Sequence, residues 1–118
     1  TSEIETVAGE QVPLLIGEAT FTDPTLVLGG DGWSLAATCP WRVVDHDHGI
    51  EMSWSSSDAE DRVWDLVGVQ ITAVRQHGSD PAFDLSTGRV LEVFSDTDLD
   101  PWVLRLAGMT FVGPLRPT

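Results

Sequence analysis

Residues 23–42 read DPTLVLGGDGWSLAATCPWR, and residues 80–105 read DPAFDLSTGRVLEVFSDTDLDPWVLR. Asp-Pro, a short apolar run, a glycine turn, a second apolar run and Pro-Trp recur in the same order. Asp23-Pro24 returns as Asp80-Pro81, Gly32 as Gly88, and Pro40-Trp41 as Pro101-Trp102. Leu26 and Leu28 share one face of the first run, and Phe83 and Leu85 take their places in the second copy. Trp33, Leu35 and Ala37 alternate in the next run, matched by Arg89, Leu91 and Val93. A period of two marks a strand with one buried face. Gly29-Gly30-Asp31-Gly32 and Ser86-Thr87-Gly88 suit hairpin turns, because glycine takes positive φ without a Cβ clash. Each copy therefore predicts a hairpin.

The repeat extends outward from these hairpins. Upstream, Gly9–Val12 aligns with Gly68–Ile71, each opening a strand at about 11–19 and 69–77. Downstream, strands at 41–45 and 50–54 match strands at 102–106 and 109–112. The whole chain, residues 1–118, reads as a single domain of two similar halves, about 9–55 and 68–113. The fold class is mainly β: two duplicated antiparallel meanders forming a pseudo-twofold sandwich or a partly open barrel. One meander of this size leaves an apolar face that its copy can bury. A helix at about 58–67 joins the halves, with Ser57 and Glu60 as a capping box and Val63, Trp64 and Val67 as its apolar stripe. Ile4 and Val7 suggest a thinner equivalent helix at the N-terminus.

Composition narrows the function classes. The chain carries 19 acidic residues against 6 basic ones and a formal charge of −13. Every basic residue is arginine. That balance argues against nucleic-acid binding, which needs cations to displace counterions, and favours a basic protein partner. A compositional bias of the host accounts for part of the pattern, since Lys, Asn and Tyr are all absent. No apolar stretch approaches the ~18 residues of a membrane helix, so no membrane partner is expected. A lone cysteine, Cys39, excludes an internal disulfide framework and fits a cytoplasmic location.

Few residues invite chemistry. Asp45-His46-Asp47-His48 places two imidazoles on one side of an extended segment, so His46 and His48 could share zinc or nickel with His77 or Glu51. Against this, the second copy turns at the same place with Ala107-Gly108. Asp96, Asp98 and Asp100 imitate the start of a calcium loop, but the sixth and twelfth positions hold Pro101 and Ala107, not Gly and Glu. Cys39 has no base to activate it. No nucleophile elbow, phosphate loop or dinucleotide fingerprint occurs. The expectation is a protein without catalytic activity and without a cofactor. Trp41 and Trp102 hold equivalent repeat positions, which implies a structural role. Trp33, Trp54 and Trp64 lack counterparts, and a tryptophan found in one copy only is the better candidate for a binding surface.

The second copy, DLSTGRVLEVFSDTDLDPWVLRLAGMTFVG, resembles a pattern in small uncharacterised bacterial β-rich proteins, several of them grouped with the immunity proteins of toxin systems. The similarity spans about Gly9 to Gly113 through both copies and rests on strands, turns and one Trp. The first copy departs from it, lacking the acidic loop before Trp41. The resemblance implies an acidic inhibitor that covers a basic or catalytic face of a toxin. The expected contact patch is Asp96, Asp98 and Asp100 with Trp102. The alternatives are a small-molecule or metal-binding β-barrel, and self-association through open strand edges.

Overall fold

The computed structural model describes residues 2–45, 47, 49–96 and 100–115. Helix α1 (Glu3–Gly9) leads into β1 (Leu14–Leu15), β2 (Glu18–Thr22), β3 (Thr25–Gly30), β4 (Trp33–Ala37), β5 (Trp41–Asp45) and β6 (Gly49–Ser53). After α2 (Ala59–Arg62) and a 3₁₀ turn (Val63–Leu66) come β7 (Gln70–His77), β8 (Asp80–Leu85), β9 (Arg89–Val93), β10 (Trp102–Leu106) and β11 (Met109–Val112). The strands form a six-stranded sheet, ordered β1-β7-β8-β9-β5-β6, and a five-stranded sheet, ordered β11-β10-β4-β3-β2. All pairs are antiparallel. The two sheets pack as an open sandwich rather than a closed barrel, so the barrel alternative has no lumen. The space between the sheets is filled by one cluster of buried apolar side chains.

The halves interlock instead of forming one sheet each. The meander β2–β3–β4 is completed by β10–β11 from the second half, and β7–β8–β9 by β5–β6 from the first. Trp41 lies opposite Val93 on β9, and Trp102 opposite Ala37 on β4. The short helices cross over as well: α1 packs on β7, and the 3₁₀ turn after α2 packs on β2. Register corrects one equivalence read from the repeat. Leu28 faces Leu35 and Phe83 faces Leu91, so Phe83 corresponds to Leu28, not Leu26. Asp23-Pro24 accordingly forms the β2–β3 turn, whereas Asp80-Pro81 lies inside β8.

Two other expectations change. The strand predicted at 11–19 breaks at Ile16-Gly17, and its parts join different sheets. The helix predicted at 58–67 is a single α-turn followed by a 3₁₀ turn, and no side chain caps it. β-Branched Val63 and Val67 and the aromatic Trp64 lower its propensity. The capping box forms at α1 instead. Glu5 N–H donates to Ser2 Oγ at 3.3 Å while Glu5 Oε1 accepts from Ser2 N–H at 3.1 Å. Ile4 and Ala8 then bury fully, and Gln11 exchanges two 3.0 Å hydrogen bonds with the Ala107 backbone in the β10–β11 turn.

The two repeat tryptophans are both buried completely, but their polar edges differ. Trp102 Nε1 donates to Asp80 Oδ1 at 3.0 Å, and Asp80 also accepts from Ser95 N–H and Ser95 Oγ–H. Trp41 meets Phe21 edge-on, with centroids 5.2 Å apart, and its Nε1 has no acceptor among the described residues. Asp80 thus satisfies three donors at once. Asp80→Ala should lower unfolding free energy by about 2 kcal/mol, the usual cost of stranding buried donors. Urea titration of the variant checks this; a change within error would show that water replaces the carboxylate.

Candidate interaction surface

Beyond Val93 the chain leaves the core. Leu91 and Val93 point inward and are buried, so Glu92 and Phe94 face outward by the period of two. Phe94 N–H donates to Pro40 O at 2.8 Å, which holds its backbone beside the start of β5. Its ring stays 39% exposed, with the Arg42 guanidinium carbon 4.9 Å from the ring centroid. Arg42 Nε lies 2.7 Å from Glu92 Oε1. The carboxylate orients the guanidinium and the guanidinium covers the ring, an arrangement that favours Arg over Lys.

The acidic segment follows directly. Ser95 is tied to Asp80, and Thr38 N–H donates to Pro101 O at 2.9 Å, so both ends of the segment are anchored. Asp96 and Asp100 are exposed, while Asp98 lies outside the described residues. Asp100 has φ of 50°, in the left-handed region that Asp tolerates better than most residues. Trp102, expected in this patch, is 0% exposed and bound to Asp80, so it belongs to the core. The exposed aromatic next to the acids is Phe94. Its outward direction is legible from the Leu91/Val93 alternation, whereas Trp102, adjacent to the acids in sequence, takes the core position that the Pro-Trp repeat implies.

Trp54 lies on the other side of β5. Its N–H donates to Trp41 O at 3.0 Å, so Trp54 and Phe94 flank the beginning of β5 at backbone positions about 10 Å apart, two strand spacings. Trp54 is 47% exposed and Trp64, on the 3₁₀ turn, is 61% exposed. Trp33 is buried and donates to Leu15 O at 3.0 Å. Of the three tryptophans without repeat counterparts, two reach the surface and one completes the core.

Of the three histidines, His77 is the one that lies among the described residues. His46 and His48 lie outside the described residues. Their neighbour Asp45 pairs with Arg89 at the hairpin end of β9, whereas His77 pairs with Asp80 at the opposite end of β8. Glu51, a possible further ligand, lies 2.6 Å from Arg89 Nε, although that N–H is not aligned for a hydrogen bond. No set of three His, Cys, Asp or Glu side chains suited to a metal occurs among the described residues. His77 instead borders a groove of about 460 Å³ over β7–β9, floored by Ala82, Val90 and Val44. Arg75 and Asp84 on its wall pair with each other. Among the described residues no helix is long and apolar enough to cross a membrane.

Comparison with known proteins finds no matching family model, no matching curated protein and no matching solved structure.

Cys39 lies under this surface, buried beside Pro40. Desolvation pushes its thiol up to about 11, with the Asp80 and Asp96 charges adding to the rise. The unfolded chain releases this proton near pH 9 and the folded chain only near 11, so stability is complete below pH 9 and falls as pH rises between the two. The slope approaches about 1.4 kcal/mol per pH unit, for a total of about 3 kcal/mol, of which about 2 kcal/mol falls between pH 8.5 and 10.5. With Lys and Tyr absent, no other side chain titrates across that window. Urea unfolding at pH 8.5 and 10.5 should show this loss in the wild type and a flat response in Cys39→Ala; equal slopes would contradict the assignment.

Proposed function

We propose that the protein is a non-catalytic interaction module, an acidic immunity-type inhibitor that binds a basic face of a bacterial toxin. The observation that carries this reading is Phe94, kept out of the core with Arg42 stacked over it and Asp96 and Asp100 exposed beside it. An aromatic ring and an arginine form the usual anchor of a protein interface. Neighbouring carboxylates raise the association rate with a cationic partner. Asp98 completes the acidic segment in this proposal. We further propose that the two halves descend from an internal duplication, so the scaffold is shared and the contact residues are ones that the other copy does not repeat. A buried, unreactive thiol suits action in the cytoplasm. A small-molecule role for the groove bordered by His77 is the second reading; the Arg75–Asp84 pair already neutralises its wall.

The test is direct binding to the product of the gene adjacent to this one in its native genome. Wild-type protein should bind that product specifically and block its toxicity on co-expression. Phe94→Ala combined with Asp96→Arg and Asp100→Arg should weaken binding about 100-fold or more, with an unchanged melting temperature. A neighbour that is not bound, or is bound equally by the variant, would remove this reading.

A further inference from the structure

The outer faces of the two sheets differ sharply at matching positions. Across the five-stranded sheet, one row of facing residues runs Thr20, Val27, Ala36, Val103, Val112. The corresponding row of the six-stranded sheet runs Arg75, Ala82, Glu92, Arg42, Ser53. The first row has no charge; the second carries three. All five residues of the first row are exposed or half-buried, so this face meets solvent with β-branched and small side chains.

The next row of the five-stranded sheet is Glu18, Gly29, Ser34, Arg105, Thr110. Glu18 and Arg105 are the two charges on this face among the described residues. Glu18 lies flat across Gly29, whose missing Cβ would sit 2.7 Å from Glu18 Oε1. A side chain laid down in this way leaves the face even. In a chain of net charge −13, an entire sheet surface with one acid is a place where two like-charged molecules can meet without opposing carboxylates.

We infer that this face is the docking surface for a second copy of the chain, packed sheet on sheet about a twofold axis. The charge pattern selects that occupant. Glu18 and Arg105 share one row, three strands apart. An axis running along the strands between β3 and β4 places Glu18 of each copy against Arg105 of the other. The same axis sets Val27 against Ala36 and Thr20 against Val103. A basic partner would find one acid here and an acidic partner one base, whereas a second copy matches both. The overlapping area, about 20 by 17 Å from strand spacing and rise, is about 340 Å² per copy. The total of about 700 Å² lies below the range of stable specific interfaces and predicts a weak, transient dimer with a dissociation constant on the order of 100 μM.

Sedimentation equilibrium of the full chain from about 1 μM to 1 mM tests the inference. A reversible monomer–dimer equilibrium is expected. Ala36→Arg, which sets cations against the uncharged row, should weaken it about 100-fold. Glu18→Arg and Arg105→Glu should each weaken it about tenfold, and the double variant should return to within about threefold of wild type. These positions are exposed, and unchanged melting temperatures would confirm folding. A monomer at every concentration, a dimer indifferent to Ala36→Arg, or a double variant no better than the singles would each overturn the inference.

Discussion

The rest of the structure depends on one constraint: the last hairpin of each half is hydrogen-bonded to the meander of the other half. Trp41 enters the core only because β5 lies against β9, and Trp102 only because β10 lies against β4. The chain must therefore change sheets at Cys39-Pro40 and again before Pro101. The backbone bonds Phe94 N–H to Pro40 O and Thr38 N–H to Pro101 O bracket those two crossings. The exposed Phe94, Asp96 and Asp100 sit at the second crossing, outside the strands of both sheets.

Equivalent places in the scaffold have been filled differently wherever packing does not decide. Inside, both halves present large apolar residues. At the polar edges of the two buried indoles the halves diverge, since Trp102 has Asp80 and Trp41 has Phe21. On the outside the divergence is greatest. One sheet surface carries ion pairs, Arg42–Glu92 and Arg75–Asp84, and the other is almost without charge. Exposed pairs of that kind add little to stability, so the fold does not require their segregation to one face.

Much of the architecture was legible in the residues. The alternation in Trp33–Ala37 and Arg89–Val93 located β4 and β9, the glycine turns located both hairpins, and the Pro-Trp repeat identified the two core indoles. What failed had a common physical origin. Local pattern says which residues alternate but not which strand they pair with, so the exchange of hairpins could not be read, nor the two-residue offset that separates Asp23-Pro24 from Asp80-Pro81. The helix expected at 58–67 shortens for a similar reason. Ser57 and Glu60 have capping-box spacing without the geometry, whereas Ser2 and Glu5 have both because β7 receives Ile4 and Ala8. The contact patch was half legible. Its acids were evident, but the choice between Phe94 and Trp102 depended on which ring the interlocked sheets enclose.

Separate production of residues 1–56 and 57–118 tests the interlock most directly. Because each hairpin lacks its partner strand in an isolated half, each fragment alone should give the narrow amide dispersion of an unfolded chain by NMR, and an equimolar mixture should recover the spectrum of the intact protein. A monomeric fragment with a dispersed, cooperatively melting spectrum would show that a half folds without the other and would contradict the account.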